Sequence, residues 1–205
     1  MRIGLDFDNT IAGYDHLFLA AGREQGLLPP DFAGAKKAVR DHIRTLPGSE
    51  AEWTRLQAEV YGRRMAEAAL IEGVGDFLRL CRRRGIPVVI VSHKTRYAAA
   101  DPGGVDLHAA SRAWMAAQGF FAADGFGIPA ERVFFEATRE DKCRRIGGLD
   151  LSHFIDDLEE VFREPAFPAA VDRLLFHTGE EEATPGPFRI FSSWAAISDD
   201  LLGRA

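Results

Sequence analysis

The sequence predicts an α/β fold, a doubly wound parallel sheet interrupted by a small α-helical insertion. Three observations carry that prediction. From Gly73 onward, apolar runs of strand length alternate with segments of helical periodicity, the order that builds a parallel sheet covered on both faces. Pro87-Val88-Val89-Ile90-Val91 is a continuous β-branched run, the mark of a strand buried on both sides. Near the N-terminus, Arg2-Ile3-Gly4-Leu5-Asp6-Phe7-Asp8-Asn9-Thr10-Ile11 reads as a short buried strand that runs into polar residues and turns at Gly13.

After Thr10 the pattern becomes helical. Tyr14 to Gln25 places Leu17, Phe18 and Ala21 on one face and closes at Gly26. Asp31 to Arg44 carries Lys36, Lys37, Arg40 and Arg44 on a mostly polar helix ending before Pro47-Gly48. Ser49 reads as the cap of a further helix through Trp53, Leu56, Val60, Tyr61 and Met65 to about Ala69, with Glu50 and Glu52 in its first turn. This insertion is too small for an independent domain, and the expected division is a core of residues 1–12 and 73–205 with an insertion of residues 13–72 that lies over a site as a lid.

Val74 to Arg84 is amphipathic through Phe77, Leu78 and Cys81 and ends at Gly85. Its last turn holds Arg82, Arg83 and Arg84, where cations favour the helix dipole; that reading is preferred to a nucleic-acid patch. A loop through Pro102-Gly103-Gly104 leads to a helix from Leu107 to Gln118, with Ala110, Ala113, Trp114 and Ala117 on one face. Further strands are expected at Val133-Phe134-Phe135, Ser152-His153-Phe154-Ile155, Leu174-Leu175-Phe176 and Phe188-Arg189-Ile190-Phe191. Helices are expected from Thr138, from Leu158 to Phe162 and from Trp194 to Leu202, and Glu180-Glu181-Glu182 reads as a solvated acidic loop.

Composition narrows the function. The chain has 205 residues, 46% hydrophobic and 27% charged, a composition typical of globular proteins. A net charge of -6 gives no general attraction to nucleic acid or to an anionic membrane. No apolar run approaches the roughly 20 residues that span a bilayer. The first strand starts at once, which leaves no room for a signal peptide, so a cytoplasmic location is expected. Cys81 and Cys143 stand in no zinc or disulfide pattern and are expected inside helix faces. His16, His42, His108, His153 and His177 show no metal spacing either.

In a doubly wound sheet, ligands bind beyond the carboxyl ends of the strands. Asp6 with Asp8, Ser92, and Asp156 with Asp157 all fall at such ends, and Lys142 lies just before the strand carrying the last pair. Acids spaced by two on an extended chain share one side. Their repulsion calls for a cation, a shared proton or a lysine. A hard divalent ion with oxygen ligands is the natural partner for four gathered carboxylates.

Asp6-Phe7-Asp8-Asn9-Thr10, Ser92 after Val88-Val89-Ile90-Val91, Lys142, and Ile155-Asp156-Asp157 resemble, in order, the four motifs of the haloacid dehalogenase superfamily. The resemblance spans nearly the whole chain, and the helical insertion resembles that family's small cap between its first and second motifs. It implies a Rossmann-like core and a magnesium-dependent phosphatase. Asp6 would be the nucleophile, Asp8 the acid and then the base, and Ser92 and Lys142 the phosphoryl-oxygen contacts. The resemblance further implies Mg2+ held by Asp6, the Asp8 backbone carbonyl and Asp156, with Asp157 acting through water or outer contacts. Thr10 would orient the loop beside the substrate. His93 and Lys94, next to Ser92, either contact the substrate or stand as solvated loop residues.

The dehalogenases that name the superfamily lack an acid at the position of Asp8, because halide leaves without a proton. An acid there points to phosphoryl transfer, with water as the acceptor. The substrate expected under a closing cap is small and phosphorylated, a sugar phosphate or a nucleotide. The basic residues Lys36, Lys37, Arg40 and Arg44 either meet a second anionic group or keep their helix soluble. A phosphomutase, and a non-catalytic binding or regulatory module on the same fold, are the alternatives. A dinucleotide oxidoreductase is disfavoured, since acids stand where a GxGxxG loop would follow the first strand.

Overall fold

The structure is a computed structural model that describes residues 1–101, 103–179 and 184–203. Pro102 of the expected loop and the Glu180-Glu181-Glu182 run lie outside them. In chain order the elements are β1 (Ile3–Leu5), β2 (Ala12–Gly13), α1 (Asp15–Glu24), α2 (Lys36–Ile43), α3 (Ser49–Ala58), β3 (Ala69–Leu70), α4 (Val74–Arg83) and β4 (Val88–His93). There follow α5 (Leu107–Ala117), β5 (Val133–Glu136), α6 (Arg139–Gly147), β6 (His153–Asp156), α7 (Glu159–Phe162), β7 (Asp172–Phe176), β8 (Arg189–Phe191) and α8 (Trp194–Leu202).

Two compact units divide the chain. The first comprises Met1–Ala12, Leu70–Lys94 and Ala116–Ala205; the second comprises Gly13–Ala69 and Thr95–Met115. In the first, six strands form one sheet in the order β5-β4-β1-β6-β7-β8, and every pairing is parallel. The doubly wound α/β expectation is met. β1 lies between β4 and β6, where the strand order reverses, so its carboxyl end opens at the crevice such sheets use for ligands.

Strand alternation sends Val89, Val91, Phe154 and Leu175 into a core with Cys143 and Ile146 of α6 and Val161 and Phe162 of α7. A second cluster joins α4, β7 and α8, where the Trp194 ring meets Phe77 at 5.0 Å and Phe176 at 5.8 Å. Both cysteines are buried and unbridged. Among the described residues, no helix is long and apolar enough to cross a membrane.

The second unit is built around aromatic rings. Phe18 stacks on Trp53 at 5.2 Å, Tyr14 meets Tyr61 edge-on at 4.8 Å, and the Tyr14 hydroxyl reaches Met65 Sδ at 3.3 Å. The stretch Thr95–Met115, assigned to the core on sequence, belongs to this unit. Trp114 Nε1 donates to the Ala68 carbonyl at 2.8 Å, and Gly62 lies against Val105 and Leu107.

Local details differ from expectation for identifiable reasons. α2 starts at Lys36 rather than Asp31, because Gly34 takes φ 141 and breaks the run; the Lys36 amide is then capped by Asp15 Oδ1 at 2.8 Å. Gly48, in the left-handed region at φ 73, precedes α3 in place of a Ser49 cap. α3 ends at Ala58 and continues as a π-helical turn over Glu59–Arg63. On α5 Trp114 is buried as expected, but with Leu107, Ser111 and Met115 in place of Ala110, Ala113 and Ala117, because the larger Leu107 and Met115 claim the interior.

Gly4 sits in the middle of β1 on the side facing Phe154. A Cβ there would lie 2.5 Å from both Leu151 Cδ1 and Phe154 Cδ2, and both side chains are buried. Gly4→Ala is therefore expected to destabilise the protein by about 1–3 kcal/mol through overpacking, read as a lower urea midpoint at unchanged slope.

Candidate active site

β1 stops just where its acids begin, and β6 ends on Asp156. Asp6 N donates to the Ile155 carbonyl at 2.8 Å, extending the β1–β6 pairing by one residue. The chain then folds back: the Ile11 and Ala12 amides both donate to the Phe7 carbonyl, at 2.9 and 3.0 Å. Asn9 occupies the left-handed region at φ 59, a conformation asparagine tolerates better than most residues. Thr10 is buried, and its carbonyl accepts the Trp194 indole N–H at 3.1 Å. The last helix thus holds the first loop. The Thr10 hydroxyl stands 3.5 Å from Asp157 Oδ1.

Lys142 is delivered by α6. Thr138 caps this helix by accepting the Asp141 amide at 3.1 Å, and Lys142 follows in the first turn. Its ammonium lies 2.6 Å from Asp6 Oδ1 and 2.6 Å from Asp156 Oδ2. The three groups are almost fully enclosed, at 1%, 4% and 0% exposure. The other Asp156 oxygen accepts the Leu158 amide at 3.1 Å.

One ammonium between two buried carboxylates leaves an excess of negative charge. Burial, with Asp156 and Asp8 adding to it, raises the Asp6 carboxyl to about 7 although Lys142 pulls it down. Burial works to lower the Lys142 ammonium, but Asp156 and Asp6 outweigh it and raise it. Asp6, Asp156 and Asp157 each present a carboxylate oxygen within 4.8 Å of the others. This all-oxygen donor set suits a hard divalent cation such as magnesium.

Asp8 takes a different partner. Its Oδ2 lies 2.8 Å from the Lys94 ammonium, with the two side chains 20% and 4% exposed. Thus two acids two residues apart are drawn to two separate lysines, which reduces their mutual repulsion. Ser92 is 1% exposed, and its Oγ has no hydrogen-bond partner. His93 faces outward, with Nε2 3.1 Å from the Ala137 carbonyl.

Of the residues singled out in the sequence, Asp6, Asp156, Asp157, Thr10 and Lys142 are gathered by these contacts, and Asp8 is joined to Lys94. In the second unit, Lys36 lies over the Phe18 and Tyr61 rings at 5.8 and 5.4 Å. Lys37 and Arg40 approach Asp41, and Arg44 pairs with Glu50. At the end of α4, Arg82 donates to the Gly125 carbonyl and Arg84 to the Leu202 carbonyl. The Asp8–Lys94 pair and the Trp194 tie were not foreseen. The first had a signal, since Ser92 and Lys94 are two apart on one strand end and share a side. The second had none within the local sequence.

No protein-family model matches the chain, and no curated protein matches it. Solved structures do. A haloacid dehalogenase-like hydrolase from Streptococcus pneumoniae aligns with TM-score 0.59 and 15% identity over 96% of this chain and 95% of the other. A hydrolase of the same family from Deinococcus radiodurans R1, with bound phosphate and sodium, aligns with TM-score 0.52 and 15% identity over 98% and 94%. CbbY from Rhodobacter sphaeroides, a mutant in complex with xylulose-1,5-bisphosphate, aligns with TM-score 0.56 and 20% identity over 95% and 94%. The chain has the α/β Rossmannoid fold of the haloacid dehalogenase-like hydrolases.

Two outcomes follow from the buried polar groups. Ser92→Ala removes a hydroxyl that bonds nothing in the protein, so stability should stay the same or rise by up to about 1 kcal/mol in urea titrations. Lys142→Met strands two buried carboxylates and should cost about 3–5 kcal/mol at neutral pH. The folded Asp6 carboxyl sits above its ordinary 3.8, so its ionisation costs stability as pH climbs toward about 7. The Lys142→Met penalty should accordingly be smaller at pH 5 than at pH 8, as paired denaturation curves would show.

Proposed function

We propose that the protein is a magnesium-dependent phosphatase that hydrolyses a small phosphorylated metabolite through an aspartyl-phosphate on Asp6. The observation that carries this reading is the constellation at the carboxyl edge: Asp6 on Lys142, Asp156 and Asp157 within reach of one cation, and a buried Ser92 hydroxyl without a partner. Neighbouring structures with this fold bind phosphate and a sugar bisphosphate, which supports a phosphorylated substrate.

The first step forms a bond between an Asp6 carboxylate oxygen and phosphorus and breaks the bond to the leaving oxygen. Asp8 gives that oxygen a proton, and the alcohol departs. Water then attacks the acyl-phosphate, Asp8 takes its proton, and inorganic phosphate leaves with Asp6 restored. Lys142 offsets the negative charge of Asp6 as the anionic substrate approaches, and Ser92 donates its free hydroxyl to a phosphoryl oxygen. Asp6, Asp156, Asp157 and the Asp8 carbonyl would hold magnesium, which supplies charge screening between the anionic nucleophile and anionic substrate. The second unit serves as the cap, whose closure would exclude water and favour small substrates such as a sugar phosphate or nucleotide.

Release of p-nitrophenolate from p-nitrophenyl phosphate in magnesium tests the reading. Turnover should vanish on chelation and return on adding magnesium, and Asp6→Asn should lower it by at least about 10³-fold. Ser92→Ala should lower it by about 10–100-fold while the protein stays folded. Tight phosphate binding without turnover by the unsubstituted chain would instead favour a non-catalytic module.

A further inference from the structure

Lys94 is a buried cation that the proposed reaction does not use. It is 5% exposed, beyond Ser92 at the end of β4, and its backbone is anchored by a 2.9 Å bond from its amide to the Glu136 carbonyl. The ammonium lies 5.8 Å above the Phe7 ring and 2.8 Å from Asp8 Oδ2. A lysine so placed has a rigid base, an apolar wall along its stem and a carboxylate at its tip.

Asp8 is anchored differently. Its backbone enters the turn closed by the 2.8 Å bond from the Asn9 amide to the Ala12 carbonyl. Its carboxylate is the more exposed member of the Lys94 pair and stands two residues from the Asp6 carboxylate, which repels it. The Lys94 ammonium opposes that repulsion and keeps the side chain beside the nucleophile. A group that must first give and then take a proton works only from a narrow range of positions.

We infer that Lys94 is a positioning residue, an ammonium clamp that fixes the Asp8 carboxylate beside the nucleophile, and not a contact for the substrate's phosphate. The inference rests on the phosphatase reading. It separates two kinds of loss. A clamp acts through Asp8, so its removal costs nothing once Asp8 can no longer transfer protons; a phosphate contact costs the same with or without Asp8.

The test is a double-mutant cycle of Lys94→Met and Asp8→Asn on the full chain with magnesium, using phenyl phosphate and p-nitrophenyl phosphate. These substrates share a shape but differ in how much the leaving oxygen needs a proton. Lys94→Met alone should lower kcat/KM for phenyl phosphate about 10–100-fold and for p-nitrophenyl phosphate much less, with KM little changed. In the Asp8→Asn protein it should cost less than about 2-fold. Lys94→Arg should recover part of the loss. Equal losses in both backgrounds, or a raised KM at unchanged kcat, would overturn the clamp and assign Lys94 to the substrate. Melting curves check folding, and Lys94→Gln, which keeps an N–H donor, replaces the methionine variant if that one does not fold. Absence of turnover by the unsubstituted protein on either ester would instead bring down the phosphatase reading itself.

Discussion

The Lys142 ammonium held between Asp6 and Asp156 is the interaction on which the carboxyl edge of the sheet depends. It joins a residue near the start of the chain to two residues more than a hundred positions later, all enclosed. Ion pairs at the surface are worth little, but here each carboxylate has given up water and would be costly to leave alone. The fold answers that cost from several directions. α6 aims the lysine, the Leu158 amide takes the other Asp156 oxygen, and the pairing of β1 with β6 holds the two acids abreast. The single ammonium still leaves charge over, which is why the Asp6 carboxyl is raised and why a divalent cation fits the group so well.

Much of this arrangement can be read from sequence. The β-branched run before Ser92 makes a buried strand on any reading of periodicity, and the acids after Leu5 and Ile155 mark strand ends because a carboxylate is costly to bury without a partner. Strand order among parallel strands then brings those ends together without any knowledge of side-chain contacts. Lys142 was legible from a capped helix start followed by a strand ending in two acids.

The less legible parts depend on encounters between distant residues. That Thr95–Met115 packs with the second unit turns on Trp114 reaching Ala68, and on Gly62 leaving room for Val105 and Leu107. Periodicity marks a buried face but not which neighbour buries it, so it places Trp114 inside without showing that Leu107 and Met115 join it. α2 starts later than its periodicity predicts because one glycine, Gly34 at φ 141, outweighs the helical pattern around it. The Asp8–Lys94 pair depends on the strand carrying Ser92 extending to His93, so that the next residue is still held at the sheet edge.

The bond from the Trp194 indole to the Thr10 carbonyl has a consequence for biosynthesis. The loop that carries the proposed nucleophile is synthesised well before its brace, since 184 positions separate Thr10 from Trp194. A nascent chain halted before Trp194 has emerged lacks both that brace and the indole that fills the space between Phe77 and Phe176. The loop therefore gains this support only once synthesis has passed Trp194, and any shorter polypeptide carries Asp6 in an incompletely supported turn.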